Sequence, residues 1–94
     1  MLRLVNLCPA CGFELDEPAW SDGFGSQEIC PCCGLQFGYD DACGGRSDLR
    51  EGFYIGWRVR WIKEGHPWSG ARTRRPPEWS PTKQLERIGW PPSR

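Results

Sequence analysis

Six cysteines are the residues of this chain best equipped for chemistry, and five of them fall into two short blocks. Cys8 and Cys11 sit in LCPACG, and Cys30, Cys32 and Cys33 sit in ICPCCG. Thiols this close can serve as a redox pair, as a disulfide or as metal ligands. The spacing favours the metal, because eighteen residues separate Cys11 from Cys30 and two C-x2-C pairs with a spacer of about 15–20 residues match a zinc site. Each pair also has proline after its first cysteine and glycine after its second, so CPACG and CPCCG read as two copies of one knuckle. A tight turn of this kind aims backbone N–H groups at the thiolates, and glycine accepts the positive φ of its exit. Cys8, Cys11, Cys30 and Cys33 are therefore the expected ligands of one tetrahedral Zn²⁺, a closed site that is structural and has no position for a catalytic water.

This spacing leaves Cys32 inside the second turn and Cys43, in DDACGGR, without an assigned role; both read as small, partly buried or surface thiols. A thioredoxin-like use of CPCC would require the motif to lie between a strand and a helix. The following residues, GLQFGYDDACGG, are strand-like and then turn-like, which argues against it. No enzyme is expected. The chain has one histidine, His66, read as a helix-end or loop residue, and Asp40–Asp41 reads as a turn instead of an acid/base pair.

The elements that must hold the knuckles come next. Phe13–Leu15 and Leu35–Tyr39 have the short alternating or aromatic pattern of strands leaving a zinc knuckle, giving a ribbon. The connecting DEPAWSDGFGSQE reads as a loop that carries Trp20 and Phe24, with Trp20 capping the metal site. One long amphipathic helix is expected from Ser47 as N-cap to about Glu64, with Gly65 as its stop. Leu49, Phe53, Trp57 and Trp61 recur every four residues, with Ile55, Val59 and Ile62 on a neighbouring stripe. Gly52 and Gly56 suggest close packing on their side, and Arg50, Arg58, Arg60 and Lys63 fall on a solvated or partner-binding side.

The tail is rich in proline and arginine but carries Trp68, Trp79 and Trp90, and disordered tails are poor in tryptophan. It reads as an extended segment pinned by these rings, with a short helix between Ser80 as N-cap, Pro81 at the first position and Gly89 past the end, docked by Leu85 and Ile88.

At 94 residues the expectation is one compact domain with a small core that needs help from a metal. Residues 1–45 form the zinc-ribbon portion, and residues 46–94 form the helix and wrapping tail. The fold class is a small metal-stabilised α+β domain. Net charge is zero, yet residues 1–45 hold one base against seven acids and residues 46–94 hold eleven bases against five acids. The opening MLRLVNLCPA is too short for a signal-peptide core, and no apolar run of about 18 residues occurs. A soluble cytoplasmic protein is expected, in a compartment where thiols stay reduced.

The combination of CPACG, EICPCCGLQFGYDD, WIKEGHPW and PPEWSPTKQLERIG resembles the bacterial cysteine-rich CPCC family over about residues 7–89. The resemblance implies a small zinc-binding protein similar to immunity proteins encoded beside polymorphic toxin genes, and it carries over no catalytic residues. Two functions follow. The first is stoichiometric binding of a protein partner, a toxin in the resemblance, through Trp20, Phe24, Arg50, Arg58, Arg60, Arg72, Arg74 and Arg75, since tryptophan and arginine dominate interface hot spots. The second is nucleic-acid binding by the arginines of the second half, Arg46 included, although the acidic first half opposes phosphate.

Overall fold

A computed structural model describes residues 6–70 and 73–92. Four two-residue strands, β1 (Asn6–Leu7), β2 (Glu14–Leu15), β3 (Trp20–Ser21) and β4 (Phe24–Gly25), precede the helices α1 (Arg50–Lys63) and α2 (Pro81–Glu86). β1 pairs antiparallel with β2 in the register Asn6 to Leu15, and β3 pairs antiparallel with β4 in the register Trp20 to Gly25. The result is a small α+β fold whose sheets are only two strands wide. Among the described residues no helix is long and apolar enough to cross a membrane.

The strand expected at Leu35–Tyr39 is reduced to one bridge, Ile29 to Gln36, after which the chain turns. Asp40 and Asp41 impose that turn: the Asp40 carboxylate accepts from the Gln36 N–H at 2.8 Å and the Asp41 carboxylate accepts from the Gly38 N–H at 2.7 Å. The segment expected as a plain loop contains the β3–β4 hairpin. Its turn residues Asp22 and Gly23 both have positive φ, 53° and 84°, the requirement of the tight turn that matches strand twist. The hairpin is laid on the second knuckle's exit at Gly25, where a Cβ would stand 2.3 Å from the Gly38 Cα, so the two backbones cross in contact.

Helix α1 follows the expected span with three differences. Ser47 starts a short 3₁₀ turn, Ser47–Leu49, and α1 begins at Arg50 with no side-chain cap. The buried stripe runs through Tyr54, Arg58 and Trp61, with Phe53 and Trp57 beside it, whereas Leu49, Ile55 and Val59 are exposed. A Cβ at Gly52 or Gly56 would meet nothing within 4 Å, so no element packs on that side. Gly65 ends the helix at φ 87°, as expected.

Among the described residues the tail has the expected short helix and tryptophan contacts. The Ser80 hydroxyl accepts from the Lys83 N–H at 3.2 Å, Pro81 opens α2, and Leu85 is buried with Ile88 packed beside it. Trp68 and Trp79 stack edge to face at 5.6 Å, and Trp79 meets Trp61 of α1 at 6.3 Å, which pins the tail to the helix. Aromatic pairs in this range add about 0.5–1.5 kcal/mol each beyond area burial. The core is centred on the cysteines with Leu35, Phe37, Tyr54, Trp61 and Leu85.

Candidate metal centre

The two knuckles are superimposable in their hydrogen bonding. In the first, the Cys8 N–H donates to the Phe13 carbonyl and the Gly12 N–H donates to the Cys8 carbonyl, both at 2.8 Å. In the second, the Cys30 N–H donates to the Leu35 carbonyl and the Gly34 N–H donates to the Cys30 carbonyl, both at 2.9 Å. Gly12 and Gly34 exit at φ 83° and 80°, the left-handed conformation that glycine enters without penalty.

These turns bring the sulfurs of Cys8, Cys11, Cys30 and Cys33 within 4.8 Å of one another, all four side chains buried. The Sγ–Sγ separations are 3.8 Å for Cys8–Cys33 and 3.7 Å for Cys11–Cys30. Four thiolates placed tetrahedrally at about 2.3 Å from an ion lie about 3.8 Å apart. The cluster therefore fits one tetrahedral metal ion, with each knuckle supplying two ligands. All six cysteines are free.

Crowding spreads the proton affinities of the thiols. Within the cluster, hydrogen bonding with Cys30 and the other sulfurs raises the Cys11 pKa, while the Cys11 hydrogen bond lowers that of Cys30. Four adjacent thiolates without a counter-charge repel; a divalent cation removes that conflict and takes them all deprotonated.

The carbonyls of the turns are tied down by distant parts of the chain. Arg58 of α1 donates through Nε to the Ala10 carbonyl at 2.6 Å and through an Nη to the Pro9 carbonyl at 2.8 Å. Gln84 of α2 donates to the Cys11 carbonyl at 2.9 Å. On the second knuckle, Trp57 Nε1 donates to the Cys33 carbonyl at 3.2 Å, and the main-chain N–H groups of Ser69 and Gly70 donate to the carbonyls of Cys32 and Pro31. The helix and tail thus hold the ligand loops, a supporting shell of the kind that fixes metal geometry.

Cys32 stays outside the four-sulfur cluster. It is fully buried, and its sulfur accepts from Gln84 Nε2 at 3.3 Å. Cys43 is half-buried, at φ 52° in a short 3₁₀ turn. His66 stacks edge-on against Trp61 at 4.9 Å and contributes nothing to the cluster.

The residues expected to bind a partner are divided by the structure. Arg58 is a correction: it is only 6% exposed, and its guanidinium is used up on Pro9 and Ala10 with Trp90 beneath it. Burial lowers its pKa. Trp20 is half-buried, donates from Nε1 to Asp41 at 2.8 Å and carries the Arg50 guanidinium 3.7 Å above its ring. Arg50 also donates to the Asp41 carbonyl, so both residues serve the fold. Arg46 is ion-paired with Asp48. Phe24, Arg60, Arg74 and Arg75 are exposed, with Arg60 resting over Trp57. Arg72 lies outside the described residues.

Asp41 reads in the sequence as a turn residue, with no signal that it is buried. Fully buried, it accepts from Trp20 Nε1, the Tyr54 hydroxyl at 2.6 Å and the Gly38 N–H, so one carboxylate joins the hairpin, the knuckle exit and α1. Burial, then the hydrogen bond to Asp41, raises the Tyr54 pKa. Gln84 was equally silent in sequence, since a glutamine in a short polar helix carries no burial signal. The chain matches no protein-family model, no curated protein and no solved structure.

Proposed function

We propose that this chain is a zinc protein in which the metal builds a zinc-ribbon-like scaffold, and that it acts by binding one protein partner stoichiometrically. The observation that carries the reading is the closed set of four buried sulfurs at tetrahedral spacing. A Cys₄ donor set with no open position suits Zn²⁺ in a structural role, so function passes to the surface. The resemblance to the CPCC family makes the partner a bacterial toxin and this chain its immunity-type inhibitor in the cytoplasm. The nucleic-acid reading is weakened by the uses found for Arg50 and Arg58 inside the fold and by the surface pairing of Arg46 with Asp48.

The test is capture of zinc-loaded protein from nuclease-treated native lysate, followed by reconstitution with the retained species. A single protein bound one to one, whose toxicity or enzymatic activity is lost in the complex, is the expected result. Retention of RNA or DNA alone from untreated lysate, removed by salt, would contradict it.

A further inference from the structure

A surface groove of about 450 Å³ lies between the first hairpin and the strand that enters the second knuckle. Its apolar surface comes from Phe13, Leu15, Ile29 and Pro31. Ile29 is 58% exposed, a large aliphatic side chain left facing solvent. Four carboxylates, Glu14, Asp16, Glu17 and Glu28, also line it, and all are exposed. Among the described residues the one ion pair is Arg46–Asp48, so no described basic side chain is paired with any of the four. An apolar floor rimmed by one sign of charge selects a ligand of complementary pattern.

The backbone adds direction. The Leu7–Glu14 pair follows the bonded Cys8–Phe13 pair, and antiparallel ladders alternate, so the Glu14 N–H and C=O turn away from β1. The Ile29–Gln36 bridge is flanked by the bonds Phe37 N–H to Glu28 and Cys30 N–H to Leu35, so the Ile29 N–H and C=O likewise turn away from their partner strand. Each of the two strands that line the groove thus has one residue whose main-chain groups are not used by its partner strand, the feature that strand addition requires.

We propose that this groove receives an extended cationic segment of a protein partner, with alternating apolar residues on the floor and lysine or arginine against the four carboxylates. This deepens the protein-binding reading and rests on it, but moves the contact from the arginines to the acidic half of the chain.

The test uses the zinc-loaded 94-residue chain and a fluorescent peptide of alternating lysine and valine, about six residues long to span the wall at residues 13–17 at ~3.3 Å per residue. Saturable binding is expected, weakened about tenfold or more by combined Glu14→Gln, Asp16→Asn, Glu17→Gln and Glu28→Gln, by Ile29→Ser, and by replacing the peptide's valines with serine. Unchanged metal content and circular dichroism establish that the variants are folded. Equal affinity in the neutralised variant, equal affinity for the lysine–serine peptide, or no saturable binding would overturn the proposal. So would binding that appears only after Arg74→Ser and Arg75→Ser, because the chain's own basic segment would then be the occupant, or a dimer abolished by the same neutralisation without peptide binding. A toxin captured through Arg60, Arg74 and Arg75 would overturn this proposal while leaving the protein-binding reading intact.

Discussion

The Gln84 side-chain nitrogen lies 2.9 Å from the Cys11 carbonyl oxygen, joining α2 to the first metal knuckle across 73 residues of chain. The same nitrogen donates to the Cys32 sulfur at 3.3 Å, and the amide oxygen accepts from Trp79 Nε1 at 2.9 Å. Gln84 is 3% exposed, so these bonds are made away from water. Replacing it by alanine orphans a buried carbonyl and an indole N–H, and the expected loss is about 2–4 kcal/mol by urea unfolding. Transfer of zinc to a chromogenic chelator is expected to be faster in Gln84→Ala than in wild type. Unchanged stability and unchanged transfer would show that the tail does not support the knuckle.

The six thiols divide sharply. Cys33→Ser removes a ligand and is expected to lose the metal and the fold together, since structural zinc contributes folding free energy directly. Cys32→Ser and Cys43→Ser are expected to keep one metal per chain, because neither sulfur belongs to the cluster. Metal analysis with far-ultraviolet circular dichroism reads all three; retained metal in Cys33→Ser would contradict the ligand assignment.

Glycines separate by sign. A Cβ on Gly12 would stand 2.4 Å from the Gln84 carbonyl oxygen at φ 83°, so Gly12→Ala is expected to cost at least ~2 kcal/mol. Gly52 and Gly56 lie on the open side of α1 with nothing within 4 Å, and alanine at each is expected to stabilise by about 0.5–1 kcal/mol. Chemical denaturation midpoints of the three variants test the ordering.

Alkaline pH reaches Tyr54. Its folded pKa is raised by burial and by the hydrogen bond to Asp41, so folding favours the protonated phenol. That stabilisation is fully present below the ordinary phenol value and declines as pH climbs from about 10 towards the folded value, with a limiting slope of about 1.4 kcal/mol per pH unit. Tyr54→Phe is expected to be less stable at neutral pH and to remove this residue's share of the alkaline decline, measured by urea unfolding across pH 8 to 11. A decline identical in both proteins would show that Tyr54 is not its source.

Much of the four-cysteine cluster was legible because local turn geometry dictates it: two C-x2-C pairs with the same proline and glycine admit few other arrangements. The caps of α2 were equally local, Ser80, Pro81 and Gly89 acting within one turn. The rest depended on tertiary partners. Arg58 looked like part of a solvated face, yet it lies on one stripe with Tyr54 and Trp61, and its long side chain reaches the knuckle carbonyls. Gly52 and Gly56 suggested contact on a side that is bare. Asp22–Gly23 is a hairpin signal set within a polar segment that otherwise reads as a loop, whereas no sequence signal marks Gln84, whose partners are set by where α2 docks.

The most direct measurement is zinc K-edge X-ray absorption, with metal analysis, on the protein purified after incubation with excess zinc and removal of unbound metal. Four sulfur scatterers at about 2.3 Å, with no nitrogen or oxygen in the inner coordination sphere, are the expected result. A substoichiometric metal content, or a site with an oxygen or nitrogen ligand in place of one sulfur, would contradict the closed Cys8–Cys11–Cys30–Cys33 centre on which the fold is built.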